Sequence, residues 1–159
     1  MNIRHVEETD LDDLAEIYSF VSVTENTSQV PYLSSLTTKR LFDRENDYTL
    51  VSEVDGKVVG HVTLILSTKP REKHSASLAI AVHPRSQGDG VGNALLTEAI
   101  NQADNWLNLS RLELEVYPDN LAGLGLYKKL GFTVEGEKKN CNFKNGKFVN
   151  LFIMARLKS

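Results

Sequence analysis

The sequence predicts a mixed α/β fold: a central, mostly antiparallel sheet with one parallel crossover and helices on its flanks. Three observations predict it. Strand-like and helical patterns alternate only around residues 78–130, which allows a single strand–helix–strand crossover. Asp55-Gly56 and Asn145-Gly146 each sit between two strand-like runs, a strong hairpin signal, so the arms on either side are antiparallel. With 159 residues, 41% of them hydrophobic, the chain can bury one full core and is expected to be a single domain over residues 1–159.

Asn2 to Glu7 reads as a strand. Thr9 followed by Asp12 resembles a capping box with Asp where Glu or Gln is usual. The helix it opens carries Leu11, Leu14, Ala15, Ile17 and Tyr18 at helical spacing. Residues 22–36 are polar and turn-rich, and a short helix is expected near Thr37 to Arg44. Thr49 to Val54 and Lys57 to Leu66 form the first hairpin. Lys69-Pro70 is a turn leading into a strand from Ser75 to Val82. A helix runs from Val91 to about Trp106, and the strand Arg111 to Val116 alternates Leu with Glu. Asn120 is a good N-cap for the next helix, and Gly131 is the residue expected just past its end. The runs Phe132–Phe143 and Phe148–Leu157 close the chain as a second hairpin.

The stretch between the strand ending at Val82 and the helix starting at Val91 carries the clearest chemistry. Gly88, Gly90 and Gly92 occupy alternate positions, which costs stability unless bare backbone is needed for positive φ or close approach. At a strand-to-helix junction the partner is expected to be an anion, because the first helical N–H groups lack acceptors and the dipole is positive there. The nucleoside-triphosphate loop is excluded, since no Lys follows the glycines. The dinucleotide fingerprint is excluded too: its third glycine falls on Asn93 counted from Gly88, and on Leu95 counted from Gly90.

The spacing that does fit is Gln87-x-x-Gly90-x-Gly92, followed downstream by Asn120, Tyr127, Gly131 and Phe132. Two motifs in this order, each at a strand-to-helix junction, resemble the GNAT superfamily of N-acetyltransferases. The resemblance implies a sheet whose two central parallel strands splay apart to admit acetyl-CoA, used as co-substrate with no metal. It implies that backbone groups of Ile80, Ala81 and Val82 hydrogen-bond the pantetheine arm and that Asn120 also touches it. The loop Gln87, Gly88, Asp89, Gly90, Val91, Gly92 and Asn93 would hold the pyrophosphate. Asp89 departs from many relatives and must point to solvent or cap a helical N–H, or it would repel the ligand. Arg85, Lys128 and Lys129 are candidate sources of local positive potential, although each alone reads as a solvated charge.

The same resemblance assigns Tyr127 to protonating the departing thiolate, a role that suits a phenol. No base stands out among Glu113, Glu115, His61, His74 and His83, and deprotonation through water is an equal reading. Further segments (Asn26–Pro31, Val59–Thr63, Asp104–Leu107, Glu135-Gly136 and the closing Met154-Ala155-Arg156) resemble the enterobacterial L-amino acid N-acyltransferases within the superfamily. That similarity implies a free amino acid such as phenylalanine or methionine as acceptor, with Thr27, Gln29, Pro31 and Tyr32 as candidate substrate contacts. The alternatives are a peptide N-terminus, a polyamine, an aminoglycoside, or a non-catalytic acyl-CoA-sensing module.

A net charge of −3 gives no global basic footprint, so nucleic acid is not expected as a partner. No apolar run reaches the roughly 20 residues a membrane helix needs. The single cysteine, Cys141, suits a reducing compartment, and acidic residues at 7, 8, 10, 12 and 13 argue against a targeting peptide, so a cytoplasmic location is expected. Phe143, Phe148, Phe152 and Ile153 make the C-terminal hairpin a candidate homodimer surface.

Overall fold

The computed structural model describes residues 1–159. The elements are β1 (Asn2–His5), α1 (Leu11–Tyr18), α2 (Val21–Thr24), α3 (Ser35–Phe42), β2 (Asp47–Val54), β3 (Lys57–Leu66), β4 (Ser75–Val82), α4 (Val91–Asn105), β5 (Arg111–Val116), α5 (Leu121–Lys129), β6 (Thr133–Lys144) and β7 (Lys147–Leu157). The strands form one seven-stranded sheet in the order β1-β2-β3-β4-β5-β7-β6. Every neighbouring pair is antiparallel except β4 and β5. Both predicted hairpins turn on paired positive φ angles, 51° and 77° at Asp55 and Gly56, 52° and 75° at Asn145 and Gly146. That is the geometry which makes Asx-Gly the preferred two-residue turn.

Three local expectations are corrected. The capping contact at the first helix is made two residues earlier than Thr9 and Asp12: the Glu7 amide donates to Asp10 Oδ2 at 2.7 Å. Arg4 explains the choice, because its guanidinium grips both oxygens of Asp10 at 2.8 and 2.9 Å and turns that carboxylate back toward the helix start. A short 3₁₀ turn, Glu8–Asp10, follows, and β1 stops at His5. The polar stretch 22–36 is not all loop. It contains most of α2 and the start of α3, whose N-cap Ser34 accepts from the Thr37 amide.

Strand alternation gives the sheet two distinct faces. On one, α4 and α5 bury Leu95, Leu96, Ala99, Leu124 and Tyr127 against Leu78, Leu112, Leu114 and Val116. Gly60 on β3 permits the close approach of α4: a Cβ there would stand 3.1 Å from both Leu95 and Val91. On the other face, α1 packs Leu14, Ile17 and Tyr18 over Val51, Val58 and Ala81. The helix covers only the β2–β4 half. The β5–β7–β6 half of that face carries Arg111, Glu113 and Glu115 and has no helix over it.

The sheet opens along one seam. β4 and β5 pair only at Ser75–Arg111, Ala76–Leu112 and Ser77–Glu113. Beyond those residues the two parallel strands run on to Val82 and Val116 unpaired. No helix of the chain is long and apolar enough to cross a membrane.

The end of α4 is pinned to β7 by Arg156, which binds both oxygens of Asp104 at 3.0 and 2.8 Å. The guanidinium holds the Asp104 carboxyl below its usual range. A carboxylate with a depressed folded-state pKa contributes stability above its unfolded value, about 3.9, and that contribution fades as pH falls through the lower folded value. Asp104→Asn is therefore expected to cost about 1–2 kcal/mol at pH 7. Its deficit in urea unfolding should shrink below about pH 4.

Candidate active site

The seam leaves the far end of one β4 edge without a partner strand. In the antiparallel ladder with β3 the His83 amide bonds to Val59 O at 2.7 Å, which fixes the alternation. The Leu78 carbonyl, both backbone groups of Ile80 and the Val82 amide consequently face the gap, whereas the groups of Ala81 face β3. Ala81 also buries its methyl group under α1. Of the three residues expected to line the arm, Ala81 is the one whose backbone points elsewhere.

At the mouth of the gap the loop after β4 presents N–H groups outward. Gly88 and Gly90 both hold φ at 84°, a conformation that L side chains adopt only under strain. The amides of Gly88, Gly90, Val91, Gly92 and Asn93 have no acceptor within the chain, and the first amide bonded back into the helix is that of Ala94, to Gly90 O. This is a concave row of donors at the positive end of a 15-residue helix, a fit for an anion. The Gln87 side chain does not face outward; its Nε2 donates to Val82 O at 3.2 Å and braces the loop. Asp89 is exposed and makes no ion pair. Arg85, Lys128 and Lys129 are exposed cations, also without an ion-pair partner in the chain.

Behind the seam, on the face that α1 leaves uncovered, lies a cleft of about 680 Å³. Ile80, Leu114, Leu151 and Ile153 supply its apolar lining, and Tyr18, Tyr117 and Tyr127 bring phenols to it. Tyr127 descends from α5, its ring edge against Phe132, and is 8% exposed. Its hydroxyl has no partner in the chain, yet the only fully enclosed side-chain polar atom lacking one is Ser52 Oγ, so the Tyr127 hydroxyl opens into the cleft. Burial pushes this phenol up to about 12, which keeps it protonated. Asn120 caps α5, its Oδ1 accepting from the Gly123 amide at 3.1 Å.

The histidines stand apart from the cleft. His61 is fully buried on β3 between the Tyr18 hydroxyl (2.8 Å) and Thr63 Oγ1 (3.2 Å), and burial pushes it down to about 3, leaving it neutral. His74 is exposed before the start of β4, at the opposite end from the loop. His83 is taken up by the loop and by α1. The acids on β5 do face the cleft, but paired: Glu113 and Glu135 flank Arg111 at 3.0 and 2.6 Å, and Glu115 holds Lys138 at 2.7 Å. This wall carries three carboxylates against two cations.

Thr27 and Gln29 line the cleft; Pro31 and Tyr32 do not, and Tyr32 is 99% exposed with φ at 64°. The polar groups of Thr27 are engaged inside the loop, its hydroxyl with Thr24 O and the Gln29 amide. The Gln29 side chain is free. What holds this loop against the sheet was missed in the sequence: Tyr117, reading as the residue before a turn Pro, donates to Thr27 O at 3.1 Å and accepts from Asn142 Nδ2 at 2.9 Å. Lys144 lies 3.9 Å above the Tyr117 ring and donates to Glu25 O at 3.0 Å. At the hairpin tip Phe143 and Phe148 stack edge to face and stay exposed, whereas Phe152 packs on the core and Ile153 lines the cleft.

Comparison with known proteins places these features in context. The Acetyltransferase (GNAT) family profile matches residues 11–132. The L-amino acid N-acetyltransferase AaaT of Escherichia coli is 41% identical over 157 residues, covering 98% of this chain and 97% of that protein. A spermidine N(1)-acetyltransferase of Escherichia coli is 30% identical over 160 residues, covering 98% and 84%. The crystal structure of a GNAT-family acetyltransferase from Streptococcus pneumoniae superposes with a TM-score of 0.85 at 31% identity, covering 98% of each chain.

Removing the Tyr117 hydroxyl should loosen the loop at residues 25–29 without unfolding the sheet. In Tyr117→Phe, amide hydrogen exchange across residues 25–29 is expected to accelerate about fivefold, the equivalent of one lost hydrogen bond of about 1 kcal/mol. Exchange in β3 and α4 should not change.

Proposed function

We propose that this chain, which belongs to the GNAT family of acetyltransferases, transfers an acetyl group from acetyl-CoA to the α-amino group of a free L-amino acid. One observation carries the reading: a row of unpartnered loop amides and an unpaired β4 edge meet at a gap whose far side is a cleft with a free phenol. The residues present fit acetyl-CoA. The amides of residues 88–93 suit its pyrophosphate, with Arg85, Lys128 and Lys129 adding positive potential. The inward-facing groups of Ile80 and Val82 suit the amides of the pantetheine arm as an added strand, with Asn120 at its flank. When bound, it supplies an activated thioester carbonyl beside the cleft.

The chain's own residues then manage protons and position. An amine attacks only as the neutral base, so its ammonium proton must leave, and Glu113 and Glu115 on the cleft wall can receive it through water. A C–N bond forms as the C–S bond breaks. Tyr127, a largely buried phenol, donates to the sulfur that leaves. Ile80, Leu114, Leu151 and Ile153 suit an apolar side chain, and the unengaged Gln29 amide suits the α-carboxylate. The exposed Phe143 and Phe148 pair is our proposed homodimer contact, and the cytoplasm our proposed location.

A polyamine is the second reading, favoured by the wall formed by Arg111, Glu113, Glu115, Glu135 and Lys138, where acids outnumber bases, and by the similarity to spermidine N(1)-acetyltransferases. An acceptor panel read by thiol release separates the two. Turnover of phenylalanine or methionine with none of spermidine supports the first, and the reverse result replaces it. For either acceptor, Tyr127→Phe should lower kcat by roughly 10- to 1000-fold while calorimetric binding of coenzyme A stays intact. With the phenol up at about 12, Tyr127 remains a donor throughout the alkaline range, so deprotonating it should not limit the rate between pH 7 and about 11.

A further inference from the structure

We propose that His83 is a positioning residue for the anion loop: its imidazole clamps the loop's first turn to α1 and so holds the row of amides in a binding geometry. The inference rests on the reading of that loop as the pyrophosphate site.

The loop has few firm internal ties. Gln87 N to Pro84 O and Asp89 N to Ser86 O both measure 3.4 Å, and the Gln87 brace measures 3.2 Å, all toward the long end for hydrogen bonds. His83 is fixed far more tightly, and on every side. Its amide bonds to Val59 O on β3 at 2.7 Å, and its carbonyl accepts from Ser86 at 2.9 Å. The ring, 6% exposed, lies edge to face with Phe20 at 4.8 Å. Its Nδ1 accepts from the Arg85 amide at 3.1 Å, capping the turn Pro84–Ser86 that feeds the glycines. Its Nε2 meets Glu16 Oε2 on α1 at 2.9 Å, and the same oxygen holds Lys57 on β3 at 2.7 Å.

These contacts settle the tautomer. A backbone N–H only donates, so Nδ1 must be bare, and the proton sits on Nε2, donated to Glu16. The carboxylate orients the ring, and the oriented ring caps the loop. Chemistry on one side of the sheet is thereby tied to α1, the helix that also carries Tyr18 into the cleft. The geometry matters because a row of amides binds an anion well only when its members converge beforehand; each degree of freedom left in the loop is frozen at the expense of affinity.

Two near-isosteric replacements separate the two nitrogens. His83→Asn keeps an acceptor where Nδ1 stood and loses the reach to Glu16, whereas His83→Gln keeps a donor toward Glu16 and loses the cap. By calorimetry with coenzyme A, His83→Gln should weaken binding on the order of tenfold, and His83→Asn should recover all but about threefold of that, as expected for one capping hydrogen bond. Glu16→Ala, a half-exposed position that leaves the fold intact, should weaken binding about threefold in wild type and add nothing to His83→Gln. In turnover, KM for acetyl-CoA should rise in step while kcat at saturation and KM for the amine stay within about twofold. Equal affinities for the Asn and Gln variants, or a Glu16→Ala protein that binds coenzyme A like wild type, would overturn the role of His83. Wild-type protein that fails to bind coenzyme A would instead remove the pyrophosphate reading of the loop.

Discussion

The site depends on where β4 and β5 stop pairing. A seven-stranded sheet normally satisfies its interior backbone groups with neighbouring strands, since a buried orphan costs about as much as a lost hydrogen bond. Here the interior seam is satisfied only as far as the Ser77–Glu113 pair, and the Leu78 carbonyl, both groups of Ile80 and the Val82 amide beyond it are left facing a gap. Such an edge is tolerated because it is short and opens to solvent at the loop. It also calls for a strand-like ligand, since an extended amide-bearing chain can complete the ladder that β5 abandons. The loop amides, the α4 dipole and the phenol on α5 all stand around that opening.

The elements that sequence makes legible are those fixed by local rules. Asx-Gly turns need positive φ at two successive residues, so both hairpins can be read from the chain, and two of the three alternate glycines, Gly88 and Gly90, mark the loop after β4 by the same positive-φ requirement. Asn120 caps α5 because a short side-chain acceptor at a helix start has one nearby donor to find. The family follows from the spacing of these residues with Tyr127 and Gly131. What local rules could not reach is set by contacts distant in sequence. Asp10 rather than Asp12 turns back at the first helix because Arg4, on the adjoining strand, holds it. Tyr117 becomes the anchor of the loop at residues 25–29 only when β6 brings Asn142 and Lys144 to it.

The β5 alternation shows the same limit from another side. Leu112, Leu114 and Val116 form the buried face that the alternation implies; the alternation by itself leaves open what Arg111, Glu113 and Glu115 on the other face meet. They line a cleft, because α1 is too short to cover the sheet beyond β4 and β6 folds its own charges, Glu135 and Lys138, against them. Pro31 and Tyr32 illustrate the converse. Placement in the right loop does not give a side chain the right direction, and a left-handed Tyr32 turns away from the cleft that Thr27 and Gln29 face.

The burial of Tyr127 limits what it can do in the role we propose for it. Raised to about 12, its hydroxyl is a weaker acid than a thiol, whose ordinary value is about 8.5, by more than a thousandfold. Full proton transfer to a thiolate is uphill from that starting point. A hydrogen bond to the sulfur as charge develops is not, and from a largely buried phenol such a bond stabilises the departing group without a completed transfer. On this account the phenol contributes as a neutral, unengaged donor held in place beforehand, and the final proton reaches the product from solvent. The absence of any partner for that hydroxyl in the chain is therefore what the chemistry requires, since a neighbour that satisfied it would have to be displaced each time the thioester broke.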